Sequence, residues 1–126
     1  MDVLVVDDNE VVADSLAFLL ECYGHRAVVA HDGETALQLL RCGAFELVFL
    51  DEHLPGINGS AVARALMDRP VSPRPFVVSM TGDNESHEDF AQLFDVLLHK
   101  PFSLEALMQV IEDARCSSDA STLLAA

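Results

Sequence analysis

Short apolar runs that end in aspartate constrain the fold of this chain more than any other feature of its sequence. Val3–Val6 is followed directly by Asp7 and Asp8, and Leu47–Leu50 is followed by Asp51. A run that is apolar at every position is typical of a strand buried on both faces of a parallel sheet. We therefore predict that both runs are inner strands and that the aspartates stand at their carboxyl ends.

Helical patterns alternate with these and three further strand candidates. Strands are also predicted over 26–30, 76–80 and 96–98, and helices over 11–22, 35–40, 60–67, 83–94 and 104–111. Turn signals at Asp32-Gly33 and Asn58-Gly59, and a cap at Ser103, mark three of the helix starts. Alternating strands and helices need right-handed crossovers and a parallel sheet covered on both faces. The predicted fold class is therefore α/β, with a doubly wound five-stranded parallel sheet.

The chain of 126 residues has the length of one domain. The alternating pattern spans residues 1–115, whereas residues 116–126 have a Ser-rich composition and are predicted to be a flexible C-terminal tail or linker remnant. No apolar run approaches the roughly 20 residues of a membrane helix, and the N-terminus lacks the basic region of a signal peptide. We therefore expect a cytoplasmic protein without membrane insertion.

The charge and the cysteines exclude two further classes of protein. The formal net charge of −14 opposes a broad cationic face, so direct binding of nucleic acid is not expected. Cys22, Cys42 and Cys116 are odd in number and have no paired spacing, which disfavours a zinc site or a disulfide framework. We interpret them as small thiols of the core or the surface.

Asp7, Asp8 and Asp51 converge if the first and third strands are neighbours. Open α/β sheets bind ligands outside the carboxyl ends of their strands, where the strand order reverses. Three carboxylates in one crevice repel one another, which raises their pKa values unless a cation is bound, and hard oxygen ligands suit Mg²⁺. The alternative is that these acids only cap the following helix, a role open to Asp8 or Asn9.

Lys100 and Thr81 also follow predicted strands and belong to the same edge of the sheet. Lys100 is the only lysine of the chain, and the ring of Pro101 disfavours a helix at this position. Taken singly, Lys100 is typical of a surface residue and Thr81 of a turn residue. Together with the acids they supply a nucleophilic carboxylate, metal ligands, a cation and a hydroxyl donor, which is the set of groups that phosphoryl transfer needs.

Four motifs, in this order and spacing, resemble those of the receiver domain of bacterial response regulators. They are Val5-Val6-Asp7-Asp8-Asn9, Leu50-Asp51-Glu52-His53-Leu54-Pro55-Gly56-Ile57-Asn58-Gly59, Met80-Thr81-Gly82 and His99-Lys100-Pro101-Phe102. The resemblance covers residues 2 to about 115. It implies a flavodoxin-like (βα)5 fold with strand order 2-1-3-4-5.

By this resemblance, Asp51 is the phosphoacceptor of a two-component phosphorelay. It takes its phosphoryl group from a phosphohistidine of a sensor histidine kinase or a histidine phosphotransfer protein. Such a domain is a signalling protein rather than an enzyme, because it catalyses only its own phosphorylation and slow autodephosphorylation. A phosphorylation-dependent dimer is a further expected association.

The resemblance also assigns the surrounding residues. Asp8 and Asp51 would ligate Mg²⁺ directly, together with the backbone carbonyl of His53, while Asp7 would act through water. The phosphoryl oxygens would be contacted by Thr81 and Lys100.

Five positions are expected to tune the response or depart from the family pattern. His53 and Asp83 stand where receiver domains aid or block the water that hydrolyses the acyl phosphate. Leu97 stands at the switch position, where the family has an aromatic side chain coupled to the threonine. The usual Gly-Ala before the fifth strand is replaced by Leu93-Phe94.

Two other functions fit parts of the pattern. A pseudo-receiver would keep the fold and signal by binding without phosphorylation, and only Leu97 points in that direction. A phosphatase with an aspartyl-phosphate intermediate also needs an aspartate, magnesium and a lysine. Such enzymes carry a second acid two residues after the nucleophile, where this chain has His53.

Overall fold

The computed structural model of the chain describes residues 1–81 and 93–125, and describes side chains as far as residue 117. Its elements in chain order are β1 (Asp2–Val6), α1 (Glu10–Cys22), β2 (Arg26–Ala30), α2 (Gly33–Cys42), β3 (Leu47–Asp51), α3 (Gly59–Asp68), β4 (Phe76–Thr81), β5 (Val96–His99) and α4 (Leu104–Ala125). These bounds agree with the predicted ones to within two residues, except at the end of α4. The helix predicted over 83–94 falls mostly outside the described residues.

The strands form one parallel sheet in the order β2-β1-β3-β4-β5. The central strands β1 and β3 are apolar because both of their faces are covered, and every residue of Val3–Val6 and Leu47–Leu50 is fully buried. The chain runs outward from β1 to β2 and then returns to β3. The strand order therefore reverses between β1 and β3, as the doubly wound prediction requires.

Two hydrophobic cores, one on each face of the sheet, hold the helices in place. On one face α1 and α4 pack against alternate strand residues, with Phe49, Leu20 and Leu107 at the centre. On the other face α2 and α3 pack against the intervening strand residues, with Leu40 and Leu50 at the centre. Each large side chain buried in this way stabilises the fold by roughly 1.5–3 kcal/mol.

Polar caps start the helices beside the carboxyl edge of the sheet. The side chains of Asn9, Asp32 and Asn58 accept hydrogen bonds from backbone N–H groups in the first turns of α1, α2 and α3. Ser103 Oγ accepts from the backbone N–H of Ala106 at the start of α4, at 3.1 Å. These caps satisfy N–H groups that have no partner within the helix, so each helix begins close to the strand end that precedes it.

The last helix is longer than predicted. The sequence pattern indicated a helix that ends near Ile111 and a linker composition from Cys116 onward, but α4 continues to Ala125. Residues 104–126 contain neither glycine nor proline, so nothing in the covalent chain ends the helix early. The domain boundary at residue 115 and a flexible tail after it stay predictions. None of the described helices, α4 included, is long and apolar enough to span a membrane.

Candidate functional site

Three carboxylates meet at the carboxyl edge between β1 and β3. Val6 pairs with Leu50 in the parallel register, so Asp7 and Asp51 follow neighbouring strands side by side. One carboxylate oxygen from each of Asp7, Asp8 and Asp51 lies within 4.8 Å of the other two. Asp7 and Asp51 are buried whereas Asp8 is exposed, so the cluster is open to water on one side. The convergence of these three acids agrees with the prediction.

Local hydrogen bonds fix Asp7 and decide which residue caps α1. The backbone N–H of Asn9 donates to Asp7 Oδ1 at 2.9 Å, and the backbone N–H of Asp7 donates to Ala30 O at 3.1 Å. His31 Nδ1 lies 3.1 Å from the backbone oxygen of Asp7. Because the Asn9 side chain caps α1, the acid cluster is not needed for that role. Of the two cap candidates, Asn9 is therefore the correct one, and Asp8 is left beside the other acids.

Lys100 reaches into the acid cluster from the end of β5. Its backbone N–H donates to Thr81 O at 2.7 Å, which ties the residue to the end of β4. The Nζ atom lies 2.7 Å from Asp7 Oδ2 and 3.5 Å from Asp51 Oδ2. One ammonium group thus faces two buried carboxylates, and the exposed Asp8 adds a third acid to the cluster. Lys100 therefore forms an ion pair with Asp51 and a shorter one with Asp7.

One lysine cannot compensate the negative charge of three carboxylates, and the pKa of Asp51 reflects this. Burial raises the pKa of Asp51 above its ordinary value of 3.8, Lys100 opposes that effect, and Asp7 adds to it. The backbone N–H of His53, 3.5 Å from Asp51 Oδ1, makes a smaller contribution that lowers the pKa. The cluster therefore favours either a proton on Asp51 or a bound cation.

The donor set suits a hard divalent cation. The three side chains that approach one another offer carboxylate oxygens only, and Mg²⁺ is held by oxygen ligands with one or two protein carboxylates. The exposed Asp8 leaves room for the waters that Mg²⁺ retains. The residues present therefore fit the cation that the sequence predicts, and the lack of a second acid at His53 distinguishes them from the phosphatase pattern.

Thr81 ends β4 on the same edge. It is buried, with 6% of its surface exposed. Asp51 pairs with Met80 in the sheet register, so Thr81 follows the residue beside Asp51. The described structure thus brings the predicted hydroxyl donor to the strand next to the predicted nucleophile.

The loop between β3 and α3 contains two contacts that the sequence analysis did not find. The Glu52 carboxylate accepts hydrogen bonds from the backbone N–H of Ser60 at 3.0 Å and from Ser60 Oγ at 2.8 and 2.9 Å. A Cβ atom on Gly59 would lie 2.4 Å from the backbone oxygen of Asp51. The only signal in the sequence is an acid placed a few residues before a capped helix start, which is too common to be specific.

Leu97, at the predicted switch position, is exposed on the edge strand. It pairs with Ser79 in the register of β4 and β5, and 42% of its surface is accessible. Ser79 is fully buried, and its Oγ has no hydrogen-bond partner among the described residues. Phe94, where the family has a small residue, is buried in the core. Asp83, the second tuning position, lies outside the described residues.

Comparison with known protein families agrees with this geometry. The family model described as the response regulator receiver domain matches residues 3–112. Among curated proteins, the chain is 34% identical over 106 residues to the sensory transduction protein RegX3 of Mycolicibacterium smegmatis, covering 84% of the chain and 46% of RegX3. It is also 34% identical over 120 residues to the virulence sensor protein BvgS of Bordetella bronchiseptica, covering 89% of the chain and 10% of BvgS. The chain thus spans less than half the length of these relatives.

Solved structures give the same result. A CheY-like response regulator receiver domain from Methylobacillus flagellatus superposes with a TM-score of 0.85 at 27% identity, covering 90% of this chain and 98% of that one. The response regulator TrrA of Thermotoga maritima, in complex with Mg²⁺-BeF, superposes with a TM-score of 0.81 at 26% identity, covering 90% and 97% of the two chains.

Proposed function

The chain belongs to the response regulator receiver domain family, and on that premise we propose that Asp51 is the phosphoacceptor of a two-component phosphorelay. The observation that carries the proposal is the cluster of Asp7, Asp8 and Asp51 within 4.8 Å, with Lys100 Nζ facing two of the three carboxylates. A surface of solvated acids does not bury two carboxylates against one lysine. Such a site is suited to an anion attached to Asp51.

The proposed step is an in-line transfer onto the Asp51 carboxylate. A carboxylate oxygen of Asp51 bonds to phosphorus while the phosphorus–nitrogen bond of a phosphohistidine breaks, and the imidazole leaves with the electron pair. Lys100, already 3.5 Å from Asp51 Oδ2, would pair with one phosphoryl oxygen. Thr81 would donate its hydroxyl hydrogen to another. The partner that supplies the phosphohistidine would be a sensor histidine kinase or a histidine phosphotransfer protein.

The cation site would be formed by the same cluster. Asp8, Asp51 and the backbone carbonyl of His53 would hold Mg²⁺ directly, and Asp7 would contact it through water. Bound Mg²⁺ would offset the negative charge of the transferring phosphoryl group. TrrA, a similar protein at 26% identity, has a solved structure in complex with Mg²⁺-BeF. Asp7 accepts hydrogen bonds from Lys100 and from the backbone N–H of Asn9. Through these bonds it would hold its own carboxylate and Lys100 in place beside Asp51.

The chain would act as a switch rather than as an enzyme with a separate substrate. It would catalyse its own phosphorylation and the slow hydrolysis of the acyl phosphate, in the cytoplasm and without nucleic acid as a direct partner. A phosphorylation-dependent dimer would be a further association.

An apolar strip on α1 is suited to the histidine-containing partner. Val11 and Phe18 are 75% and 69% exposed, and seven residues are two helical turns, so both lie on one face. This strip starts beside the acid cluster, because Asp8 and the cap Asn9 immediately precede α1. A partner that delivers a phosphoryl group to Asp51 has to lie close to this face. We infer that the strip defined by Val11 and Phe18 contacts that partner.

The second candidate is a pseudo-receiver that binds partners without phosphorylation. The exposed Leu97 favours it, because the usual aromatic side chain at the switch position is missing. The complete set of acids, lysine and threonine favours the phosphoacceptor instead.

Intact-mass spectrometry tests the proposal directly. The protein would be incubated with acetyl phosphate, with and without Mg²⁺, beside an Asp51→Asn variant. A single Mg²⁺-dependent phosphoryl adduct on the wild type, absent from the variant, is expected. No adduct on the folded wild type would make the pseudo-receiver the better account.

A further inference from the structure

Glu52 is held at three points, although it has no role in the proposed phosphoryl transfer. Its backbone N–H donates to Met80 O at 3.3 Å, and its backbone oxygen accepts from the N–H of Gly59 at 3.1 Å. Its carboxylate accepts from both the backbone N–H and the hydroxyl of Ser60. The residue thus joins the end of β3 both to β4 and to the start of α3.

The contact with Ser60 also completes the N-terminus of α3. The first helical N–H groups have no partner within the helix. Here Gly59 donates to Glu52 O, Ser60 to the Glu52 carboxylate and Ala61 to Asn58 Oδ1. The negative charge of Glu52 is favourably placed at the positive end of the helix dipole. The Glu52 carboxylate therefore binds the first turn of α3.

The loop that follows Asp51 is tightly packed and is bonded at both ends. Gly59 packs so closely that an added Cβ atom would lie 2.4 Å from the Asp51 backbone oxygen. The loop from Glu52 to Gly59 is closed at both ends by the bonds of Glu52, and it contains His53, whose N–H faces Asp51 Oδ1. A shift of the α3 start would therefore move Glu52 and the backbone that directly follows Asp51.

We propose that Glu52 and Ser60 form a positioning pair that holds the His53 carbonyl in place for the cation and so sets the affinity of the acid cluster for Mg²⁺. The inference rests on the proposed function, because it takes the His53 carbonyl as a ligand. Neither side chain of the pair would itself be a ligand of the cation. Residues that orient metal ligands in this way commonly change metal affinity by about 10- to 100-fold when they are replaced.

Ser60→Ala is the decisive variant because it removes the hydroxyl contact without changing any charge. Its matched control is Thr35→Ala. Thr35 Oγ1 makes the equivalent contact with Asp32 Oδ2 at 3.0 Å in the first turn of α2, away from the loop after Asp51. Both variants lose one hydroxyl-to-carboxylate bond at a helix start, so both are expected to lower the midpoint of thermal unfolding to a similar extent. Ser60→Thr retains a hydroxyl and serves as the conservative rescue.

The measurement is calorimetric titration of each full chain with MgCl₂ and no phosphodonor. Ser60→Ala is expected to raise the Mg²⁺ dissociation constant about tenfold, while Thr35→Ala and Ser60→Thr stay within about twofold of the wild type. Acetyl phosphate should then label Ser60→Ala at a rate that approaches the wild-type rate once Mg²⁺ is saturating.

A double-mutant cycle with Glu52→Gln separates the effect of the contact between Glu52 and Ser60 from the direct effect of the Glu52 charge on Mg²⁺ binding. Measuring the glutamine substitution both in the wild type and in the Ser60→Ala variant subtracts any effect of the lost charge on Mg²⁺. If Glu52→Gln changes the Mg²⁺ dissociation constant less in Ser60→Ala than in the wild type, the result supports the pair. Equal changes in the two backgrounds overturn it. Equal Mg²⁺ affinity in wild type and Ser60→Ala also overturns this inference alone. A wild type that binds no Mg²⁺ overturns the proposed function and this inference with it.

Discussion

Lys100 makes a shorter contact with Asp7 than with Asp51: its Nζ atom lies 2.7 Å from Asp7 Oδ2 and 3.5 Å from Asp51 Oδ2. The ammonium thus compensates first the acid that is most deeply buried, Asp7 at 1% exposure. Burial raises the pKa of Asp51, and Lys100 at its longer distance opposes this effect only in part. If Asp51 is the phosphoacceptor proposed above, its carboxylate would remain available to a phosphoryl group while Lys100 compensates the charge of Asp7.

Replacing Lys100 is expected to destabilise the Mg²⁺-free protein. Lys100→Met keeps an unbranched side chain but leaves Asp7 buried without its cation, so the free energy of unfolding in urea at pH 7 should fall by about 3 kcal/mol. Arg74→Met is the control, because Arg74 lies 3.7 Å from Asp95 in a largely exposed pair and its loss should cost less than about 1 kcal/mol. Equal losses in the two variants would contradict the role of Lys100 described above.

The raised pKa of Asp51 predicts how stability depends on pH without Mg²⁺. An acid that is harder to ionise in the folded state adds stability below its ordinary pKa of 3.8, and this stability is lost as the pH rises through the folded-state pKa. Asp51→Asn should therefore raise the free energy of unfolding at pH 7, and by less near pH 3.

Asp32→Asn is expected to change stability in the opposite direction at pH 7. Hydrogen bonds from Thr35 lower the pKa of Asp32, so its contribution is present above the ordinary pKa and is lost as the pH falls. This variant should be less stable than the wild type at pH 7. Urea unfolding of both variants from pH 3 to pH 7 measures the difference, and parallel pH profiles would contradict the assignment.

Gly59 is predicted to be intolerant of any side chain. In Gly59→Ala the new Cβ atom would have to displace the backbone of Asp51, which should lower the free energy of unfolding by about 3 kcal/mol and slow labelling by acetyl phosphate. Gly24→Ala is the comparison. Gly24 has a φ of +87° and open space around it, so its substitution should cost about 1–2 kcal/mol and leave labelling unchanged.

His53 and Asp83 are predicted to set the lifetime of the phosphorylated state without being needed to form it. Replacing both by alanine should change the half-life of the acyl phosphate several-fold, because an attacking water would be helped or hindered by these side chains. The yield of adduct in excess acetyl phosphate should remain close to that of the wild type. Time courses of dephosphorylation by intact mass measure the effect, and an unchanged half-life would refute it.

The apolar strip on α1 is predicted to affect only transfer from a protein donor. Phe18→Ala should slow phosphotransfer from a phosphorylated histidine phosphotransfer protein about tenfold, since a buried aromatic contact is worth about 1.4 kcal/mol or more. Labelling by acetyl phosphate, which needs no docking surface, should not change. Tyr23→Ala, at a second exposed aromatic residue beyond the end of α1, is the control. Slower labelling from both donors would indicate a damaged fold instead.

The sequence alone determined the elements and their order. Runs that are apolar at every position identified the buried strands, and helical spacing identified α1, α2, α3 and the start of α4, because both patterns are local. The position of the aspartates after Val6 and Leu50 predicted an acid cluster once β1 and β3 were neighbours. The predicted end of α4 near Ile111 was wrong, because no glycine or proline interrupts the helix before Ala125.

The tertiary structure decided which groups meet. Lys100 and Asp7 are 93 residues apart, and no local pattern predicts that their contact is shorter than the one between Lys100 and Asp51. In the same way, the bond between Glu52 and Ser60 depends on where α3 begins relative to the end of β3. Strand and helix patterns reflect the burial of each residue, whereas these contacts depend on distances of a few tenths of an ångström between elements that only the folded chain brings together.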